Sequence, residues 1–252
     1  DQVTIAICGK YTKLRDSYAS IIEALTHAGA HNDARVNIAW IETTRIERGE
    51  TSVNKVLEGV DGVIVPGGFG TRGIEGKIDV IEFCRENEIP FLGICYGMQL
   101  AVVEFARNVC GIEGAGTTEV EEDGGNVENP VVCILPSQRK VNQKGGTMRL
   151  GGQDVILAEG SRAQKIYRSG TIRERFRHRY EVNPEFVSRL TEGGMSFSGT
   201  TPEGDIVQVM ELPEHPFFFG TQYHPELVSR LEKPAPLFLE LVAASLNKRS
   251  EK

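Results

Sequence analysis

The amino-acid sequence predicts an α/β fold, with a mostly parallel sheet, helices on both faces and a β-rich antiparallel extension. In the first 110 residues, short apolar runs alternate with segments of helical periodicity, as in right-handed βαβ units. From residue 131 to 222, short alternating runs are separated by turn residues, which indicates antiparallel strands and hairpins. We therefore predict a single domain over residues 1–252.

The elements of the first half are predicted from apolar runs and helical periodicity. Continuous apolar runs, as expected of strands buried on both faces, occur at residues 3–8, 36–41, 61–68 and 90–94. Helical patterns follow them at residues 16–28, 52–59, 74–88 and 98–109. Gly29 is the predicted stop of the first helix.

The second half has shorter predicted elements. The acidic, glycine-rich segment 119–130 is predicted to be a surface loop. A strong last strand is predicted at 217–223 and a closing helix at 236–246. The remaining strands are predicted from the runs TMRLGG, DVILAEG, GMSFSGTT and DIVQVMEL.

Charge and residue usage argue against several classes of function. The formal net charge of −7 disfavours binding to nucleic acid. No apolar run reaches the length of about 20 residues that crosses a bilayer, and the N-terminus lacks a signal-peptide pattern, so no membrane contact is expected. The five cysteines are scattered without metal-ligand spacing, which fits a reducing cytoplasm. The histidines are scattered too, and no metal site is predicted.

Three predicted strand ends carry residues suited to chemistry: PGGFG at 66–70, GICYG at 93–97 and YHPE at 223–226. In parallel sheets, functional sites lie beyond the carboxyl ends of the strands. Cys95 stands between two glycines at the start of a helix, which is the cysteine form of a nucleophile elbow. It also fits a small buried core residue, and the spacing alone leaves both interpretations open.

His224 is the best candidate for the base that a thiol nucleophile requires. Of the histidines, it alone follows a strongly apolar strand and precedes Pro-Glu. Residues i and i+2 of an extended segment point the same way, so Glu226 is placed to orient the imidazole. Taken alone, the pair is better explained as a turn histidine beside a solvated glutamate.

The glycines at 66–70 let backbone N–H groups approach a ligand closely. Together with the N–H of Tyr96 they are suited to an oxyanion hole, although the segment also fits a simple turn. A phosphate loop is not predicted, because neither GxxxxGK[ST] nor GxGxxG occurs in the chain.

With PGGFG, GICYGMQ and YHPE in this order, the chain resembles the class I (triad) glutamine amidotransferases, and more narrowly the glutaminase domain of CTP synthases. The resemblance implies a flavodoxin-like fold in which Cys95 attacks the carboxamide of L-glutamine, forms a γ-glutamyl thioester and releases ammonia. It assigns proton transfer to His224, orientation of His224 to Glu226, and the oxyanion N–H groups to Gly68 and Tyr96. The blocks that carry the narrower resemblance are residues 9–25, 65–77, 93–108, 176–186 and 219–226.

The resemblance also implies a glutamine pocket. Arg179 would hold the α-carboxylate, a role that suits the paired N–H groups of a guanidinium. We expect Arg173, Arg175 and Arg177 to be solvated or to face a partner. The implied pocket residues are Gly67, Gly68, Tyr96, Gly97, Met98, Gln99, Glu119, Arg179 and Tyr180.

One position departs from the family pattern. Leucine commonly follows the catalytic cysteine in the family, whereas this chain has Tyr96. The proposed oxyanion contact uses the backbone, so we expect catalysis to survive and the ring to narrow or gate the mouth of the pocket.

A synthase domain is further implied, which this chain lacks and which would aminate UTP to CTP. That domain is expected to use ATP and Mg²⁺ and to respond to GTP as an activator, while no cofactor is expected in the chain itself. The full-length protein is expected to be a cytoplasmic homo-oligomer.

Two other functions remain open at the level of sequence. One is a different triad hydrolase, such as a γ-glutamyl peptidase or the glutaminase subunit of another amidotransferase. The other is a catalytically silent regulatory module. The presence of Cys95, His224 and Glu226 together argues against a silent module, which has no need of all three.

Overall fold

The computed structural model describes residues 1–10, 15–135 and 149–251. Its strands are β1 (Gln2–Gly9), β2 (Arg35–Glu42), β3 (Gly62–Val65), β4 (Phe91–Ile94), β5 (Ala115–Thr117), β6 (Asn129–Cys133), β7 (Arg149–Leu157), β8 (Thr171–His178), β9 (Glu181–Val182), β10 (Ser196–Thr200), β11 (Val207–Glu211) and β12 (Phe218–Thr221). A nine-stranded sheet has the order β2-β1-β3-β4-β12-β11-β10-β7-β8, and a smaller sheet has the order β5-β6-β9.

The helices lie between these strands and after the last of them. Single 3₁₀ turns occur at Arg15–Tyr18, Thr118–Asp123 and Pro225–Leu227. The α-helices of the described residues are α1 (Ala19–His31), α2 (Thr43–Glu47), α3 (Val53–Val56), α4 (Ile74–Glu86), α5 (Tyr96–Asn108), α6 (Arg162–Tyr167), α7 (Pro184–Glu192) and α8 (Pro236–Ser250).

Helices cover both faces of the parallel half of the large sheet. Strands β2, β1, β3, β4 and β12 are parallel to one another. Ile5 and Ile7 of β1 belong to the core formed with α1 and α8, whereas Ala6 and Cys8 belong to the core formed with α4 and α5. Burial on both faces explains why β1 is apolar at successive positions. The predicted fold class is confirmed.

The antiparallel extension continues the same sheet from β12 through β11, β10 and β7 to β8. The described residues of TMRLGG and DVILAEG form one strand, β7, rather than two. Its partner β8 was not predicted, because charged residues separate its few apolar positions and hide the strand pattern. The extension is also less uniform than predicted, since α6 and α7 interrupt it and β5 pairs with β6 in parallel.

Several predicted boundaries are wrong for identifiable reasons. Helix α1 continues past Gly29 to His31, and a Cβ at Gly29 would lie 2.8 Å from the carbonyl oxygen of Ala34. A glycine is therefore needed at position 29 because the chain passes close to it just before β2, and it does not mark the end of the helix. Helix α5 begins at Tyr96 instead of residue 98, and the predicted loop 119–130 contains a 3₁₀ turn and the start of β6.

Candidate active site

Three neighbouring parallel strands, β3, β4 and β12, deliver their carboxyl ends to one cavity. The chain leaves them at Pro66, Cys95 and Gln222, which brings together the three segments singled out in the sequence. The cavity has a volume of about 290 Å³ and is lined by Ser17, Tyr18, Ser20, Ile21, Pro66, Gly67, Gly68, Phe69, Cys95, Arg177, His224, Glu226 and Leu227.

Cys95 sits on a strained turn between β4 and α5. Its backbone has φ 52° and ψ −101°, a left-handed value that L residues adopt rarely and that costs about 1–3 kcal/mol. A Cβ at Gly97 would lie 1.9 Å from the carbonyl oxygen of Val65, so this position has no room for a side chain. The N-terminus of α5 directly follows Cys95 and presents backbone N–H groups and the positive end of the helix dipole beside the sulfur.

His224 and Glu226 form the pair expected from their spacing. Nδ1 of His224 lies 2.8 Å from Oε1 of Glu226, and the backbone N–H of His224 donates to the carbonyl of Arg175 at 2.9 Å. The segment is a 3₁₀ turn from Pro225 rather than the extended strand assumed from the sequence. The contact forms nevertheless, because the tight turn also brings residues i and i+2 together.

The surroundings of His224 favour its protonated form. Burial alone would lower the pKa of the imidazole, but the nearby thiol of Cys95 and the hydrogen-bonded carboxylate of Glu226 outweigh it and raise the pKa to about 10. Nε2 makes no short hydrogen bond within the described residues, so the interaction with the thiol acts at longer range. A protonated imidazole beside a thiol is the arrangement that stabilises a thiolate.

Replacing Glu226 by glutamine is expected to lower kcat/KM for the amide substrate by up to about 10⁴-fold, because the imidazole loses the acceptor that fixes its tautomer. The carboxylate also raises the pKa of His224, so its loss lowers that pKa. The alkaline limb of the kcat/KM profile should then move from near pH 10 to lower pH. An alkaline limb that stays in place would show that Glu226 does not act on His224.

Gln222 is a neighbour of the thiol that the sequence reasoning missed. Its Nε2 lies 3.6 Å from Sγ of Cys95, and the carbonyl oxygen of Arg177 lies 3.7 Å from the same sulfur. Gln222 follows β12 directly and lies within the predicted last strand, residues 217–223, but no role was predicted for it. Its position directly before the YHPE segment is the sequence feature that could have identified it as a site residue.

Not all of the implied pocket residues line the cavity. Gln99 is buried and donates to the carbonyl of Tyr180 at 2.8 Å and to Oε1 of Gln222 at 3.1 Å. Met98 is buried in the core against β12, where a Cβ at Gly220 would lie 2.8 Å from its Cγ. Gly67 and Gly68 do line the cavity, whereas Tyr96, Gly97, Met98, Gln99, Glu119, Arg179 and Tyr180 are not among its lining residues.

The side chain of Tyr96 does not gate the pocket mouth, contrary to our expectation. It is 1 % exposed, and its hydroxyl donates to the carbonyl of Gly70 at 3.2 Å beneath the 66–70 loop. Arg177 is exposed, in agreement with the expectation, and it also contributes to the lining of the cavity. The mouth of the cavity is flanked instead by exposed Phe69 and Leu227.

A buried carboxyl, Glu174, stands behind the His224–Glu226 pair. Burial and the nearby Glu226 raise the pKa of Glu174 from 4.5 to about 8. Its hydrogen-bond partner Tyr167 receives a hydrogen bond from the hydroxyl of Tyr223 at 3.0 Å. Glu174 therefore carries a proton at neutral pH.

Glu174→Gln is expected to make the stability of the protein less dependent on pH. A carboxyl with a raised pKa stabilises the fold most below pH 4.5, and this contribution is lost as the pH rises through about 8. A neutral amide avoids that loss, so at pH 8 the variant should exceed the wild type by about 4 kcal/mol in free energy of unfolding. Urea denaturation at pH 5 and pH 8 measures this, with exposed Glu240→Gln as the control. Equal pH dependence in wild type and Glu174→Gln would contradict the assignment.

Among the described residues, no group of His, Cys, Asp and Glu side chains is arranged to hold a metal ion. No described helix combines the length and apolar character needed to cross a membrane.

Residues 13–244 match the family model described as glutamine amidotransferase class-I. The chain is 52% identical to the CTP synthase of Methanocaldococcus jannaschii over 99% of its own length and 46% of that protein. It is 52% identical to the CTP synthase of Sulfolobus acidocaldarius, over 97% of its own length and 45% of that protein. The chain thus spans slightly less than half the length of these curated relatives.

A solved structure, the glutaminase domain of Trypanosoma brucei CTPS with bound acivicin, superposes with a TM-score of 0.88 at 35% identity. The match covers 97% of this chain and 94% of that domain. The family model and this structure therefore agree over nearly the same residues. The chain belongs to the class I glutamine amidotransferase family.

Proposed function

We propose that the chain hydrolyses L-glutamine to glutamate and ammonia through a γ-glutamyl thioester on Cys95. The observation that carries this proposal is the meeting of Cys95, at the start of α5, with the His224–Glu226 pair in one cavity. An activated thiol, a base and a group that orients the base are the parts that nucleophilic acyl transfer requires.

The reaction follows from these positions. The thiolate of Cys95 attacks the carboxamide carbon of glutamine, and the N–H groups of Gly68 and Tyr96 stabilise the oxyanion that forms. The protonated His224 gives its proton to the leaving nitrogen, which departs as ammonia. Neutral His224 then takes a proton from the water that attacks the thioester, and glutamate leaves with regeneration of the thiolate and imidazolium.

Recognition of glutamine is proposed from the family resemblance. Arg179 binds the α-carboxylate, and Gln99 and Glu119 contribute to the wall of the pocket. Gln99 is linked to the thiol through Gln222, which supports a place for it next to the reacting amide. Gly67, Gly97, Met98 and Tyr180 shape the same region through the backbone and packing.

We further propose that the ammonia is passed to a synthase domain that aminates UTP to CTP, as the names and lengths of the relatives suggest. ATP, Mg²⁺ and UTP are assigned to that domain, with GTP as an activator of the coupled reaction. The free state of all five cysteines supports a cytoplasmic location. Assembly into a homo-oligomer is assigned to the synthase domain.

The proposal is tested by measuring ammonia release from glutamine by the chain, with and without the synthase domain of a relative and its nucleotides. We expect slow release by the chain alone and a marked increase when the synthase domain, ATP, UTP and GTP are present. Cleavage of γ-glutamyl peptides in preference to glutamine would favour a peptidase. Absence of ammonia under all conditions would favour the silent module and overturn the proposal.

A further inference from the structure

A cluster of buried charged and aromatic side chains lies beneath the loop 66–70, and none of these side chains takes part in the acyl and proton transfers described above. Lys77 of α4 is 3 % exposed, and its ammonium lies 5.0 Å from the ring centroid of Tyr96, close enough for a cation–π interaction. Glu119 is 4 % exposed. Burial lowers the pKa of Lys77 to about 8, while the nearby carboxylate of Glu119 acts in the opposite direction.

Both polar groups of Gly70 are held by this cluster. Its N–H donates to Oε1 of Glu119 at 2.6 Å, and its carbonyl accepts from the hydroxyl of Tyr96 at 3.2 Å. The carbonyl of the preceding residue, Phe69, accepts a hydrogen bond from the ammonium of Lys10. Two successive residues of the loop are therefore fixed by side chains from three other segments of the chain.

Gly68, the proposed oxyanion donor, has open space where a side chain would project. A Cβ built on Gly68 would meet no heavy atom within 4 Å. A Cβ on Gly67 would instead lie 2.9 Å from Cε1 of His224 and 3.5 Å from Cβ of Cys95. The orientation of the Gly68 peptide must therefore be imposed by Gly67 on one side and by Phe69 and Gly70 on the other.

Lys77 connects the two side chains that hold Gly70. Its ammonium faces the ring of Tyr96 and is attracted by the carboxylate of Glu119. Burying a carboxyl group away from any cation is strongly disfavoured, so Lys77 offsets part of the cost of burying the side chain of Glu119 that accepts from Gly70. The three residues therefore act as a unit, which we call the loop brace (Lys77, Tyr96 and Glu119).

We propose that Lys77 and Tyr96 are positioning residues that, with Glu119, hold the 66–70 loop so that the N–H of Gly68 points at the oxyanion. The proposal rests on the proposed function, because it assigns the brace to acyl transfer by Cys95. It also gives the aromatic residue after Cys95 a role, since the leucine common at this position in the family has no hydroxyl to hold Gly70.

The test compares two reactions of the same thiol. Hydrolysis of glutamine forms an oxyanion, whereas alkylation of Cys95 by iodoacetamide is a displacement at a saturated carbon and forms none. Tyr96→Phe keeps the ring over Lys77 and removes the hydroxyl that donates to Gly70. We expect kcat for glutamine to fall about 10- to 100-fold with little change in KM, because a displaced oxyanion donor acts mainly on the transition state. The alkylation rate should stay within about twofold of the wild type.

Two further variants complete the experiment. Lys77→Met should lower kcat in the same selective way, and Lys77→Arg should restore most of it by returning the cation. Ser245→Ala, which removes an equally buried hydroxyl that donates to Leu241 of α8, serves as the matched control and should change neither rate.

The outcomes separate this proposal from the function on which it rests. If Tyr96→Phe hydrolyses glutamine as the wild type does, the brace has no role in positioning the loop. If both rates fall equally, the substitution has only damaged the fold, and the proposal is equally wrong. A wild-type chain that is alkylated at Cys95 but never hydrolyses glutamine would refute the proposed function, and the brace with it.

Discussion

Cys95→Ala is expected to abolish ammonia release from glutamine, with a loss of at least about 10⁴-fold in kcat, because no other group in the cavity can form the thioester. The folded state should be retained, because the substitution removes one sulfur atom and leaves the backbone conformation of residue 95 as it is. Ammonia release and thermal unfolding, measured side by side, check both expectations.

Cys110→Ala provides the matched control for this experiment. Cys110 is partly exposed, its thiol donates to the carbonyl of Arg189, and it lies outside the cavity. Its replacement should leave activity unchanged. Retention of glutamine hydrolysis by Cys95→Ala, or its loss in Cys110→Ala, would contradict the assignment of the nucleophile.

Gly97→Ala is expected to destabilise the protein by about 3 kcal/mol or more, because overpacking against rigid backbone cannot be relieved by a side-chain rotation. The new Cβ would lie 1.9 Å from the carbonyl oxygen of Val65, which would push α5 away from β3. Since α5 carries Cys95 at its start, the variant should lose activity together with stability. Urea denaturation at neutral pH measures the change.

Gly170→Ala is the matched control for the glycine substitution. A Cβ there would find its nearest neighbour, Nε2 of Gln164, at 3.7 Å, which is ordinary van der Waals contact. We expect little change in free energy of unfolding at this position. Equal stability of Gly97→Ala and Gly170→Ala would contradict the conclusion that Gly97 is required for the close packing of α5 on β3.

Most of the parallel half of the fold was predictable, because its strands are continuous apolar runs and its long helices α1, α4 and α5 show helical periodicity. The two-face burial of β1 appears directly as a continuous apolar run, and the strand ends carry the site residues as the topology requires. The prediction failed for short elements. Helix α6 buries only Ala163, so its sequence shows no apolar helical periodicity from which a helix could be predicted.

The contacts within the site divide in the same way. The His224–Glu226 contact was predictable because both residues are neighbours in sequence. The contact of Gln222 with Cys95 joins residues 127 positions apart and depends on the pairing of β12 with β4. The burial of Tyr96 likewise depends on where the 66–70 loop and Lys77 fold back over α5, which no local pattern specifies.

The central claim, that Cys95 is the nucleophile, is tested most directly by an alkylating mimic of glutamine followed by mass spectrometry of the labelled peptides. Burial raises the pKa of Cys8 to about 12 and that of Cys84 well above its usual value, and it also raises that of Cys110. These thiols therefore remain protonated and unreactive at neutral pH. We predict one adduct per chain, on Cys95, prevented by excess glutamine. Labelling at Cys8, Cys84, Cys110 or Cys133, or labelling that persists in Cys95→Ala, would contradict the claim.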